Sequence, residues 1–428
     1  MGRLQIAVVA LCIALNAVDG FDVLAISFAA PGIAAEWGID RAMLGVVLSM
    51  ELIGMALGSV LIGNLADRIG RRPVILGCLV VMTLGMFAAA WAQNVAMLSA
   101  TRLFTGLGIG GMLSSTSAMV AEFSSDRRRN LNVVLNIAGY SAGAVVGGVI
   151  ASMLLAHTGD WRSVFLLGGA ATLLLLPLVF VCMPESIESQ VARRPRGALE
   201  GVNRTLARMG MAPVAALPPA GAHALKPSFG ALFSPTYAWP TVLLTVAYFA
   251  QIMAFYFIQK WTPKILVDMG FDAPSAGRVL VFVNIGCVIG AVVVGLASQR
   301  MRLQPLVVGA MVLSFATIAS YGLLPRDLVW FSAVAVLAGF FTNASVVGLY
   351  PVLVRTFPAL LRASGTGFVI GVGRGGSVVG PIAAGGLLAG GGALLLVSTA
   401  MGAGALVAAT MLILVGRVQA RREGQENP

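Results

Sequence analysis

The chain has 428 residues, 58% of them hydrophobic and only 11% charged, with a net charge of +11 and a mean hydropathy of +0.92. A water-soluble domain carries roughly 25% charged residues, so this composition excludes a soluble globular fold and turns most of the surface toward lipid. The positive charge invites a nucleic-acid reading, but the basic residues are scattered over many short loops and form no basic domain, so no nucleic-acid partner is expected.

Apolar runs of spanning length fall at 5–33, 43–64, 74–92, 96–120, 133–156 and 162–182, and again at 238–258, 277–298, 305–324, 328–351, 365–389 and 393–416. Each is near the ~20 residues that cross ~30 Å of hydrocarbon as a helix. The expected fold is an all-α polytopic membrane protein, with six helices in residues 1–183, a polar loop at 184–237, six more helices in 238–416 and a tail at 417–428. The first run is too long for a cleavable signal peptide and carries Asp19 and Asp22 in its middle. The central loop contains a Pro/Ala/Gly-rich tract at 212–222 and a short amphipathic segment near 198–209 suited to lying on anionic headgroups.

Glycine accounts for 52 residues. In apolar helices small residues let backbones approach closely, which is how helices associate inside a bilayer. The four cysteines lie in apolar runs without CxxC spacing and read as small buried hydrophobes, while two histidines exclude a His-rich metal site. No cofactor or metal is expected, and no nucleophile–base constellation points to an enzyme.

Twelve spans put both termini on one side. The loops and tails of that side hold Arg3, Arg68, Arg71, Arg72, Arg127 to Arg129, Arg193, Arg194, Arg196, Arg204, Arg208, Lys226, Arg300, Arg302, Arg355, Arg362, Arg417, Arg421 and Arg422. The other side holds Arg41, Arg162, Lys260, Lys264, Arg278 and Arg326, mostly near acidic residues. By the positive-inside rule the termini and central loop are cytoplasmic, as expected of a multi-pass protein of a bacterial inner membrane.

The two halves repeat. Gly58, Gly63 and Arg68 fall on Gly290, Gly295 and Arg300 at an offset of 232, and the same offset carries Gly139, Gly143 and Gly148 onto Gly371, Gly375 and Gly380. One offset shared by two helix pairs indicates parallel structural repeats, an architecture in which substrate binds near the bilayer midplane where the halves meet. Asp19 falls on Gln251, so the acidic pair is peculiar to the first half.

Charges inside spans are functional candidates by default, since each costs at least ~2.5–3.5 kcal/mol at the bilayer centre. Asp19 and Asp22 share a helical face. Two neighbouring carboxylates in low dielectric do not both stay cheaply ionised, so the pair can carry a proton; the rival reading is a structural pair satisfied by Asn16 and neighbouring helices. Glu51, in the second span, is open to two readings, a proton relay or a conformation-dependent hydrogen-bonder. Arg374 lies deep in the eleventh span between Gly373 and Gly375 and can anchor a carboxylate bidentately or pair permanently with an Asp. Arg102 begins the fourth span and can help proton transfer, draw an anion inward or bond carbonyls of neighbouring helices. Tyr248, Gln251 and Phe255 recur at helical spacing in the seventh span and can stack on an aromatic ring or simply pack. Glu122 closes the fourth span, where it is expected to meet the Arg127–Arg129 cluster in a gate salt bridge.

The loop after the second span reads Gly63-NLA-Asp67-Arg68-I-Gly70-Arg71-Arg72 and closely resembles GxLADRxGRR, the signature of the major facilitator superfamily. Arg102-LFT-Gly106-L-Gly108-I-Gly110-Gly111 is similar to that superfamily's fourth-helix motif. In the loop motif Gly63 permits close helix contact, Asp67 can cap the next helix, and Arg68, Arg71 and Arg72 can hold a charge network between the halves at the cytoplasmic mouth. Asp19-Gly20-Phe21-Asp22 looks like the DGxD motif of the aromatic acid:proton symporter family, and Glu122-Phe123 with Arg127 and Arg129, Pro184-Glu185-Ser186, Gly373-Arg374-Gly375 and Gly380-Pro381 agree with it. The resemblance implies the major facilitator fold and proton-coupled import of benzoate-like, hydroxybenzoate-like or related carboxylates. The residues and the resemblance together give the expected assignment: a monomer in which Asp19, Asp22 and Glu51 handle the proton and Arg374, Arg102, Tyr248, Gln251 and Phe255 the substrate. A sugar or polyol porter or a drug exporter of the same superfamily is the rival expectation; a nontransporting sensor is a remote one.

Overall fold

The computed structural model describes residues 1–125, 127–217, 229–358 and 361–426; the side chains of Asp67, Asn130, Phe229, Ala363 and residues 419–426 fall outside it. The described chain is helical throughout: α1 (Arg3–Trp37), α2 (Arg41–Ile69), α3 (Arg71–Ala90), α4 (Val95–Phe123), α5 (Arg129–Thr158), α6 (Arg162–Cys182), α7 (Ile187–Arg193), α8 (Ala198–Met209), α9 (Ala238–Asp268), α10 (Ala273–Ala297), α11 (Leu303–Ser320), α12 (Leu328–Thr356), α13 (Arg362–Gly373), α14 (Gly375–Ala389) and α15 (Leu394–Glu426), with a 3-10 turn at Phe229–Phe233. Twelve segments are long and apolar enough to cross a membrane, as the hydropathy pattern anticipates.

Helix starts follow from local chemistry. Asn94 accepts from Met97 N, Asp272 from Ser275 N and Asp327 from Val329 N, each satisfying a first-turn donor that has no intrahelical partner. The amphipathic segment of the central loop forms α8 over Ala198–Met209. The preceding α7 has no signature in the apolar pattern; it is nucleated by Ser186, whose hydroxyl accepts from Ser189 N at 3.0 Å. Residues 218–222 of the Pro/Ala/Gly tract, Lys226, and the side chains of Arg421 and Arg422 lie outside the described residues.

The eleventh span departs from expectation. Instead of one helix over 365–389 it is α13 and α14, joined at Arg374. The turn tightens there: Arg374 N donates to Ile370 O and Ser377 N to Arg374 O, both at 2.9 Å. Gly371, Gly373, Gly375 and Gly376 surround the junction, and glycine is among the weakest helix formers.

The chain divides into two compact units, Met1–Ala29 with Met50–Ala224, and Ala30–Ser49 with Leu225–Pro428. In the first, α2 lies on α4 through Gly54, Gly58, Gly106 and Gly110, each of which faces the partner's backbone so closely that a β-carbon would collide with it. In the second, Gly286 and Gly290 of α10 meet α12 in the same manner. Gly54 and Gly58 fall on Gly286 and Gly290 at the 232-residue offset read from the sequence, so the internal repeat is a repeat of helix contacts.

Residues 30–49, assigned by chain order to the first bundle, group with the second unit. Gly45 abuts the Pro381 carbonyl and Gly385, Ser49 Oγ donates to Val378 O at 2.8 Å, and Arg41 bonds Asp268 at 3.1 Å and Leu388 O at 3.2 Å. Lys260, read as a loop residue of the same side, is fully buried in α9.

Candidate functional site

In the first unit Asp19 and Asp22 of α1, Glu51 of α2 and Arg102 of α4 all have fully buried side chains. Arg102 is the organiser. Its Nη2 pairs with Glu51 Oε1 and also donates to the main-chain oxygen of Asp22 at 2.9 Å; Nη1 meets Met86 Sδ at 2.9 Å, and the guanidinium stands 5.3 Å from the Phe165 ring centroid. The close α2–α4 approach allows this geometry: Gly106, one turn beyond Arg102, abuts the Glu51 carbonyl and Gly54.

Both carboxylate oxygens of Asp19 and of Asp22 have no hydrogen-bond partner among the described residues. The structural reading of the pair therefore lacks its expected support, because Asn16 Nδ2 donates to Asn136 O at 2.5 Å and not to either aspartate. Asp22 lies in the electrostatic reach of Arg102 and Glu51. Glu51 and Asp22 thus share one permanent cation, and Asp19 adds a third acid beside Asp22. Such an arrangement accommodates protons more readily than three negative charges, since an uncompensated charge in a dry interior carries a large desolvation penalty.

In the second unit Tyr248, Gln251 and Phe255 follow one face of α9. Tyr248 Oη lies 3.3 Å from Tyr350 Oη of α12, with the rings edge to face. Gln251 Nε2 donates to Thr342 O at 3.3 Å, leaving its buried Oε1 without a hydrogen-bond partner among the described residues. Phe255 is half-buried and packs edge to face on Tyr256. Gly373 seats the Tyr248 ring and Gly376 the Phe249 backbone, which brings the α13–α14 junction against α9. Arg374 consequently acts electrostatically on Tyr248. Tyr350, in a span without intramembrane charge, carries no sequence signal that singles it out.

The GxLADRxGRR loop forms a network inside the first unit. Arg71 Nη1 pairs with Glu122 at 2.7 Å and Nη2 with Glu188 at 3.2 Å. Glu122 also accepts from Ser186 Oγ at 2.6 Å and from Glu188 N at 2.9 Å. Glu185 Oε1 accepts from Arg71 N at 2.9 Å and Arg72 N at 3.3 Å, and Arg193 stands 3.7 Å from the same carboxylate.

Glu185 caps the first turn of α3, where the chain enters through Gly70 at φ 111° with no side-chain cap of its own; the cap expected of Asp67 lies outside the described residues. One expectation is corrected here. The Glu122 salt bridge assigned to Arg127–Arg129 is made with Arg71: the arginine cluster faces outward, and Arg129 Nε turns back to Ala121 O at 3.0 Å. Among the described residues a β-carbon at Gly63 would meet the Ser114 side chain at ordinary contact distance, and Arg68 is exposed. Among the described residues no group of three His, Cys, Asp or Glu could hold a metal ion.

Twelve apolar helices built on a repeated bundle, with acids and an arginine sealed at lipid depth, define a polytopic secondary carrier and not an enzyme. The family model described as Major Facilitator Superfamily matches residues 12–326. The chain is 33% identical over 390 residues to a 4-hydroxybenzoate transporter of Pseudomonas putida, covering 89% of this chain and 85% of that protein. It is 31% identical to a gallate transporter of the same organism, covering 97% and 93%. A 3-(3-hydroxy-phenyl)propionate transporter of Escherichia coli (strain K12) is 29% identical, covering 96% and 94%. Among solved structures, a D-xylose-proton symporter superposes with a TM-score of 0.73 at 16% identity, covering 95% of this chain and 97% of that one, a likeness of fold alone. The chain belongs to the major facilitator superfamily, in its aromatic acid:proton symporter family.

Proposed function

We propose that this protein imports small aromatic or related carboxylates together with protons, by alternating access, as a monomer in a bacterial inner membrane with both termini and the central segment in the cytoplasm. The observation that carries the reading is the sealed cluster of Asp19, Asp22, Glu51 and Arg102, in which carboxylates outnumber the cation and the aspartate oxygens have no hydrogen-bond partner among the described residues. Asp22 and Asp19 are the proton carriers, and Glu51 pairs with Arg102 and holds its guanidinium in place. The relatives supply the substrate class, being named for 4-hydroxybenzoate, gallate, 3-(3-hydroxy-phenyl)propionate, gentisate and benzoate. Arg374 with Tyr248, Gln251 and Phe255 provides what such a ligand requires, namely a fixed cation for the carboxylate and ring faces and amide groups for an aromatic body. Arg102, engaged by Glu51 and by backbone, serves the proton step in this scheme more directly than it serves the substrate. The cation-rich loops and tails support cytoplasmic termini by the positive-inside rule, and the network of Arg71, Glu122, Glu185 and Arg193 supports a cytoplasmic gate role for that loop. The proton is the only coupling ion required, with no further cofactor.

The test is uptake of radiolabelled hydroxybenzoates and benzoate into proteoliposomes carrying the purified full chain. Accumulation should require an inward proton gradient and collapse with a protonophore. Failure of a broad carboxylate panel, with uptake of a neutral sugar or cationic drug instead, would overturn the assignment.

A further inference from the structure

The first unit contains a cavity of about 330 Å3 where the first turn of α3 meets α7 and α8, lined by Arg72, Arg193, Arg204 and Arg208 together with Glu185 and Gln190. α8 contributes one stripe to it: Gly201, Arg204, Thr205 and Arg208 recur at the spacing that places residues on a single helical face. Ala198 and Val202 are buried and hold that helix in place, while Gly201 lies against the Gln190 side chain and puts no side chain of its own into the space.

The charges are unbalanced. Four guanidinium groups face one carboxylate, and Glu185 is already occupied by the Arg71 and Arg72 amides and by Arg193 at 3.7 Å. Arg72 donates one nitrogen to Phe180 O at 2.6 Å, and its buried Nε has no hydrogen-bond partner among the described residues. Arg204 and Arg208 are exposed and join none of the ion pairs of the described residues. Arginine forks of this kind match phosphate geometry.

The cavity borders a lipid-facing surface. Arg72 stacks 5.7 Å from the Phe180 ring centroid at the end of α6. Above it, Leu174, Leu178 and Val181 form a continuous exposed stripe on that helix, at 69%, 48% and 73% exposure. A soluble phosphate accounts for the arginines but leaves this apolar stripe without a role. A phospholipid engages both, since basic pockets at the ends of spanning helices hold anionic headgroups while the acyl chains remain in the bilayer.

We propose that this cavity binds the phosphate headgroup of an anionic phospholipid, with the acyl chains laid along Leu174, Leu178 and Val181. The site has a built-in consequence. A headgroup on Arg193 competes with Glu185, the residue that caps α3 beside the Arg71–Glu122 pair, so lipid occupancy acts on that network.

Native mass spectrometry of the purified full chain, titrated separately with phosphatidylglycerol, phosphatidylcholine and inorganic phosphate, tests the site. Phosphatidylglycerol should remain bound where phosphatidylcholine is lost, and an R204Q/R208Q double variant should weaken its retention about thirty-fold, from two surface arginine contacts. An R196Q variant, which removes one positive charge from the adjacent turn outside the cavity, should leave retention unchanged, whereas R204Q and R208Q taken singly should each weaken it. Equal losses in the R196Q and double variants would reduce the effect to diffuse surface charge, and competition by millimolar phosphate would identify a soluble-anion site. Either result overturns the proposal, as does retention unaffected by the double variant.

Discussion

Arg102 and Glu51 form an ion pair in which neither side chain reaches solvent, and the same guanidinium holds the main-chain oxygen of Asp22. Three spanning helices are thereby tied together at the acids proposed to carry the proton. Removing one partner strands the other charge in a dry interior, which costs about 3–5 kcal/mol, whereas replacing both often restores stability. E51Q alone should lower the thermal unfolding midpoint of the detergent-solubilised protein markedly, and E51Q/R102M should recover most of the loss. Additive losses in the double variant would show that the two residues do not act as a pair.

The aspartates separate proton coupling from translocation. D22N should abolish accumulation driven by a proton gradient while leaving substrate counterflow within a few-fold of the unmodified chain, and D19N should do the same less completely, because Asp22 lies nearer the Arg102–Glu51 pair. Uptake and counterflow measured in one proteoliposome preparation check this. Loss of both activities with an unchanged melting temperature would instead make Asp22 a substrate-binding residue.

Gly70 enters α3 at φ 111°, and a β-carbon there would strike the Glu185 carboxylate and the Arg193 guanidinium. G70A should therefore destabilise by about 1–3 kcal/mol through backbone strain alone, with further loss from the displaced Glu185 cap. Thermal unfolding of G70A beside E185Q measures the two contributions. The G70A effect should exceed that of E185Q.

Asp272 caps α10 from outside the span. Burial pushes its carboxyl up, but the bonds from Ser275 outweigh that, and the group sits below its ordinary value. A group depressed in the folded state contributes stability that is present above its unfolded value and lost as pH falls through the folded one. Stability should therefore fall on acidification below the usual carboxylate range, and D272N, which keeps the cap without the charge, should flatten that part of the profile. D272A should cost about 1 kcal/mol at neutral pH.

The spans, their number and the repeat were legible because a bilayer demands ~20 apolar residues per crossing and small residues wherever helices touch. The intramembrane charges were legible one by one for the same reason. Their partners were not. Pairing depends on which helices are neighbours, so Glu51, outside any recognised motif, could not be joined to Arg102, nor Glu122 to Arg71 in place of the nearer arginines. The break at Arg374 rests on main-chain bonding around four glycines, which hydropathy does not register. Lys260 looked like a loop residue because it follows the apolar run at 238–258, whereas the helix continues to Asp268 and buries it.

The seating of residues 30–49 bears on how this polypeptide can be divided. Severing it in the central segment yields an amino-terminal fragment that carries Arg41, Gly45 and Ser49, while their docking positions at Asp268, Gly385 and Val378 remain on the carboxyl-terminal fragment. Neither piece is self-contained, so co-produced fragments have a ready-made clasp for reassembly, and the isolated carboxyl-terminal piece lacks a helical hairpin that belongs to its own packing unit.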